Sequence, residues 1–295
     1  MLAAVAAFTL GCRGKTPDQR LHEDASPPPA LAAQGATGTD CGALGCRLFD
    51  SPEDAMRAAL AGNPLVVAVG EAHALAGTEH IDSSARRFTR DLLPELKGRA
   101  SDLLLELMMP RGDCKAKTEE ARTAQKPATR GHAESDQEEY VAMGNAARSL
   151  GIIPDVLRPS CDDLGAIGDA GDDAIVRTLE TINRLTVKQV EALMGRKDRD
   201  AGAAIIVYGG ALHNDPTPDE TEGEVADWSY GPALSNAVNG RYVAVNLFVR
   251  EYIKDDATWR KWAWYPHFDR ERSPEKTTMF HPKADVYVLI FPASR

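Results

Sequence analysis

Two histidines recur in the same tetrapeptide context, each just beyond an apolar run. Gly70-Glu71-Ala72-His73 follows Leu65-Val66-Val67-Ala68-Val69, and Gly210-Ala211-Leu212-His213 follows Ile205-Ile206-Val207-Tyr208-Gly209. A third run, Leu103-Leu104-Leu105, stops at Glu106. An imidazole titrates near neutrality and serves as a general base or a metal ligand. A carboxylate directly after three leucines is costly to bury unless it is paired or bound to a cation. His73, Glu106 and His213 are therefore the candidate catalytic residues, and together with Glu71 they form the candidate metal-ligand set. The chemistry open to such a set is attack of water on an ester or amide carbonyl. Activation would come from an imidazole base or from a divalent transition metal.

Other residues could join this set or simply support the fold. His80, in Gly77-Thr78-Glu79-His80, repeats the Gly-x-x-His spacing one loop later. Asp215 is close enough in sequence to orient the His213 ring, and Asn214 could donate to an oxyanion. Asp162 and Asp163 follow a strand-like segment and either approach the same site or cap the next helix. Arg86 or Arg87 could pair with a site carboxylate. The segment Trp259 to Phe268 concentrates aromatic residues, which either line an apolar pocket or pack. In an alternative, non-catalytic reading the same pocket holds haem or a metal chelate. His73, His80, Tyr208 or His213 would then be its axial ligands. The chain contains no Gly-x-Ser-x-Gly elbow, P-loop or dinucleotide-binding Gly-x-Gly-x-x-Gly.

Strands must carry these residues to one edge. The run Leu65 to Val69 is continuous and β-branched-rich, as suits a strand buried on both faces. Leu103–Leu107, Ile152–Leu157 and Ala203–Tyr208 read the same way, and Tyr242–Val249 and Asp285–Phe291 are more alternating strands. Between them lie helical patterns: a start at Ser51-Pro52-Glu53-Asp54, an amphipathic stretch from Asp82 to Leu96, then Asp136–Leu150 and Asp172–Met194. Arg111 to Ser135 is polar and reads as an irregular excursion. Strand–helix alternation predicts an α/β fold, a mostly parallel sheet flanked by helices on both faces. In such sheets ligands sit outside the carboxyl ends of the strands, where both histidine motifs fall.

The chain has 295 residues, a formal net charge of −10 and 26% charged residues. That balance excludes nucleic acid as a partner, because affinity there rests on Lys and Arg neutralising phosphates. Leu2 to Leu10 is apolar and ends in Thr9-Leu10-Gly11-Cys12. Its length is too short for a bilayer span and suits a signal-peptide core. Residues 13–40, with Ser26-Pro27-Pro28-Pro29-Ala30, read as a disordered linker. The expected organisation is thus a signal segment over 1–12, a linker over 13–40 and a single α/β domain over 41–295. Beyond Cys12, Cys41, Cys46, Cys114 and Cys161 form an even set, whose three pairings the sequence leaves open.

Two resemblances follow from these motifs. Leu10-Gly11-Cys12 resembles the lipobox of bacterial lipoproteins, which implies lipidation at Cys12 and a cell-envelope location, with contact to membrane through the lipid anchor only. Val69-Gly70-Glu71-Ala72-His73 resembles the Gly-Glu-x-His or Gly-Glu-x-x-His signature of the erythromycin-esterase and ChaN-like superfamily. The two distant Gly-x-x-His motifs are similar to those of the TraB/TIKI metalloproteases. The resemblance implies His73, Glu106 and His213 as functional positions. It also implies a small-molecule or peptide substrate, or haem binding, as the activity.

Overall fold

The computed structural model describes residues 38–74, 76–110, 112–129, 136–218 and 228–294. Cys12, the signal segment and most of the linker lie outside the described residues. The first strand begins at Thr39, two residues before the expected start of the folded part.

Nine strands form one sheet: β1 (Thr39–Gly42), β2 (Cys46–Phe49), β3 (Val66–Glu71), β4 (Ala100–Met108), β5 (Ile153–Leu157), β6 (Ala204–Gly210), β7 (Tyr242–Phe248), β8 (Thr277–Lys283) and β9 (Val286–Ile290). Their order is β1-β2-β8-β9-β7-β3-β6-β4-β5. Neighbours from β9 through β5 pair in parallel, and the β1-β2-β8-β9 end is antiparallel. The expected α/β class with a mostly parallel sheet is therefore what the chain adopts. β7 is buried along its whole length, although its sequence alternates, because β3 and β9 flank it inside the sheet.

Helices cover both faces. On one face α1 (Pro52–Ala59), α2 (Ser84–Arg87) and α4 (Asp136–Ser149) pack Met56, Phe88, Leu92 and Met143 onto Val67, Val69, Leu103, Leu105 and Ile206. On the other, α6 (Ala174–Met194) and α7 (Gly231–Ala237) pack Ile182, Val190, Leu193 and Leu234 onto Val66, Ala68, Leu104 and Ile205. Odd and even strand positions thus feed two separate cores, as a strand period of two requires. Ser51 caps α1 by accepting from the Asp54 amide, with Pro52 in the first turn, as its sequence indicated.

Two segments differ from expectation. Asp82 to Leu96 is not one α-helix: α2 passes into a π-helical turn over Phe88–Leu92 and a 3₁₀ turn over Leu93–Leu96. Pro94 has no amide to donate to an α ladder, and the altered winding buries Phe88, Leu92, Leu93 and Leu96 together. The polar stretch after Arg111 contains a helix, α3 (Lys115–Thr129), not an irregular excursion. Its apolar contribution is small, and it is fastened instead. A Cys114–Cys161 disulfide ties its start to α5 (Cys161–Gly168), over a small cluster of Ala121, Leu164 and Ile167.

The second disulfide, Cys41–Cys46, closes the β1–β2 hairpin. Sequence separations are 47 residues for Cys114–Cys161 and 5 for Cys41–Cys46. Loop-closure entropy scales with that length, so the longer bridge should contribute roughly 4 kcal/mol and the shorter roughly 2 kcal/mol. Thermal melts of Cys114→Ala/Cys161→Ala and Cys41→Ala/Cys46→Ala should therefore show the larger loss in the first pair. The reverse order would mean that α3 gains its stability from contacts alone.

Candidate functional site

Chain connections define where a ligand can enter. From β3 the chain crosses to β4 through α2 on one face, whereas from β6 it crosses to β7 through α7 on the opposite face. β3 and β6 are hydrogen-bonded neighbours, with Glu71 opposite Gly210. Their exits therefore splay apart and open a crevice between the two carboxyl ends, the usual ligand position in open α/β sheets. Both histidine motifs leave the sheet at that point.

Glu71 continues the alternation of Val67 and Val69, so its side chain turns into the core under α2 and α4. It is buried there, with no Arg or Lys paired to it among the described residues. Hydroxyl donors hold it instead: Tyr208 donates to Oε2 at 2.6 Å and Tyr140, on α4, to Oε1 at 3.0 Å. Burial, and then the Glu71 charge, push the Tyr208 phenol well above its ordinary range, so it remains a donor. His73 lies over this cluster with Nδ1 at 3.1 Å from Glu71 Oε1. Its side chain is 31% exposed against 3% for Glu71, so the imidazole, and not the carboxylate, meets solvent.

Glu106 belongs to the other face, in phase with Leu104. β4 pairs Leu105 with Val156 and Met108 with Leu157, which leaves Glu106 and Leu107 as extra residues against β5. Such a bulge re-aims a side chain next to a site. Glu106 crosses Gly209 so closely that a Cβ there would lie 2.0 Å from its Oε2, and that oxygen accepts the Gly210 amide at 2.9 Å. Oε1 faces His213 Nε2 at 3.9 Å. The His213 Nδ1 sits 3.4 Å from the Trp228 carbonyl, which can only accept, so Nδ1 carries the proton.

The two imidazoles meet over Gly210. A Cβ at that position would lie 3.5 Å from His213 Nε2 and 3.6 Å from His73 Nε2. Each Nδ1 is anchored to an acceptor, and each Nε2 turns toward the same space. The three candidate catalytic residues, His73, Glu106 and His213, are thus brought together, with Glu71 beneath His73.

Other candidates are placed elsewhere. Asn214 is fully buried, and its Nδ2 donates to Ala68 O and Asn246 Oδ1, so it has no donor left for an oxyanion. Asp215 pairs with Lys283 at 2.9 Å and accepts the Thr217 amide; the His213 ring is oriented by Trp228 instead. Asp163 completes a capping box with Ser160 at the start of α5. Arg86 pairs with Glu139, and Arg87 donates to Pro292 O and Ser294 Oγ, so neither reaches a site carboxylate. His80 is exposed on the loop after β3, with no hydrogen bond or ion pair to the site among the described residues. Tyr208 cannot serve as an axial ligand, being fully buried with its hydroxyl on Glu71. The aromatic segment packs: Trp264 is buried and stacks on Phe248 and Phe280. Ala72 and Ala211 join that cluster, so it braces both histidine loops from below.

Tyr140 escaped the sequence reading. The signal available was an aromatic residue on a predicted helix, with its partner 69 positions away.

Both Glu71 oxygens are occupied by tyrosine and histidine donors, and among the described residues no three His, Cys, Asp or Glu side chains are gathered closely enough to hold an ion. Two surface hollows lie apart from the crevice, one lined by Asp82, Arg86, Arg90 and Glu139, the other by Asp113, Lys115, Thr118 and Arg122. Compared with protein-family models, curated proteins and solved structures, the chain matches none.

Proposed function

We propose that this protein is a hydrolase of the cell envelope that adds water to the carbonyl of an ester or amide, with His73 as general base. The observation that carries this reading is the pair of Nε2 atoms converging above Gly210, each imidazole anchored through Nδ1. His73 Nε2 takes a proton from water while the water oxygen forms a bond to the carbonyl carbon, and the carbonyl electron pair moves to oxygen. Glu71 stabilises the imidazolium that results. Glu106 Oε1 accepts the second water O–H and so aims the nucleophile. His213 acts in its imidazolium form, in which Nε2–H donates to the oxyanion. Collapse of the intermediate expels the alcohol or amine, which takes the proton from His73.

The envelope location rests on the Leu10-Gly11-Cys12 resemblance and is supported by the two disulfides, which persist in oxidising compartments and seldom in cytosol. The superfamily resemblance at Val69-Gly70-Glu71-Ala72-His73 points to the same class of reaction.

The test is turnover of a panel of uncharged chromogenic esters and anilides by chelator-treated protein. Hydrolysis that persists after chelation is the expected result. Absence of turnover across the panel, with a Soret band appearing on haem titration, would replace this reading with a haem-binding one.

A further inference from the structure

We infer that Tyr140 and Tyr208 are positioning residues that lock His73 in the tautomer a base requires. The inference rests on the assignment of His73 as base, and it concerns residues that never touch substrate.

Glu71 presents two acceptor oxygens inside the core. Tyr208 donates to one at 2.6 Å, and Tyr140 shares the other with His73 Nδ1 at 3.0 and 3.1 Å. A phenol that keeps its proton can satisfy a carboxylate only by donating, and burial beside Glu71 holds the Tyr208 proton firmly in place. With both hydroxyls donating, Glu71 remains an acceptor toward His73. His73 must then carry its proton on Nδ1, which leaves the Nε2 lone pair facing Gly210 and His213. Remove the hydroxyls and the buried Glu71, stripped of donors, takes up a proton from solvent; the protonated carboxyl donates to Nδ1, and the ring's own proton moves to Nε2, which points outward and cannot accept a proton from water.

The geometry leaves little room for another arrangement. The Tyr208 ring packs against Phe88 at 4.9 Å and, edge-on, against Tyr140 at 5.5 Å between centroids, so both phenols are held by their rings independently of the hydroxyls. Phenylalanine at either position keeps that packing and deletes only the donor. This isolates the hydrogen bonds from the core.

The experiment is nitrogen-15 NMR of the imidazole rings in the full chain, with the His73 signals among the seven histidines assigned by their loss in His73→Gln. In the unaltered protein near neutrality, His73 should show protonated Nδ1 and unprotonated Nε2. In Tyr140→Phe/Tyr208→Phe, the Nδ1–H form should fall to roughly half of the neutral population or less, since the acceptor that selected it is no longer fixed. Each single variant should give an intermediate shift, which covers the case in which the double variant does not fold. An unchanged tautomer in folded variants, or Nε2–H in the unaltered protein, would overturn the inference. Because the readout needs no turnover, an inactive protein with the expected tautomer would sink the hydrolytic reading alone.

Discussion

His73→Ala should lower kcat/KM by about 10²- to 10⁴-fold, the range over which a positioned general base acts. The loss should fall on kcat with KM little changed, because the proton moves only in the transition state. Stability should be nearly unaffected, since the side chain is 31% exposed at the mouth of the crevice and buries little apolar surface. Glu71→Gln is the informative companion. A carboxamide can turn its NH₂ toward His73 Nδ1 and force the proton onto Nε2, and a wrong tautomer costs a catalytic histidine about 10⁴-fold where the effect has been measured in triads. Glu71→Gln should therefore be about as damaging as His73→Ala, although Glu71 is 3% exposed and cannot meet substrate. His73→Ala within twofold of the unaltered protein would remove the base from the mechanism. A large loss in His73→Ala with a small one in Glu71→Gln would keep the base and remove its orienting partner.

The parts of this site that could be read in the sequence are those encoded locally. Leu65–Val69 and Ile205–Tyr208 announce buried parallel strands by continuous apolar character, and a glycine at the end of each marks where the chain leaves the sheet. Parallel topology then requires His73 and His213 to share an edge. Glu106 stood out because a carboxylate at the end of three leucines contradicts its surroundings. What could not be read is long-range. Tyr140 meets Glu71 across 69 residues, from a helix with no periodicity that singles it out. Trp228 orients His213 through a main-chain carbonyl, which no side-chain identity reveals. In the fold, β1, β2 and β8 were missed for a related reason. Thr39–Gly42 and Cys46–Phe49 are four residues long, and Thr277–Lys283 contains His281 and Pro282, so none presents an apolar run. They form because β9 offers an unpaired edge and a disulfide closes the hairpin. α3 is the converse case, polar enough to read as a loop yet held as a helix by Cys114–Cys161.

Gly209→Ala should cost about 10²-fold in activity, the penalty for displacing a catalytic group by about 1 Å. The new methyl would lie 2.0 Å from Glu106 Oε2 but also 2.9 Å from Glu106 Cβ. Rotation of the carboxylate relieves the first contact and leaves the second, so β4 and β6 must separate at the bulge. Glu106 then loses the Gly210 amide, and an amide stripped of its partner adds about 1–3 kcal/mol to the strain. The double variant Gly209→Ala/Glu106→Gly separates the two consequences. Glycine at position 106 removes the Oε2, Cβ and Cδ contacts at 2.0, 2.9 and 3.0 Å and lets the strands close again, so stability should return toward that of Glu106→Gly alone. Activity should not return, because the acceptor that aims the water is gone. Urea denaturation of the four proteins measures the first expectation, and kcat/KM on one ester measures the second. Recovery of both together would show that Glu106 obstructs the site, and its place in the mechanism would pass to His213. Recovery of stability alone makes the Tyr208-Gly209-Gly210 sequence intelligible: the first glycine admits the carboxylate and the second leaves the space into which both imidazoles turn.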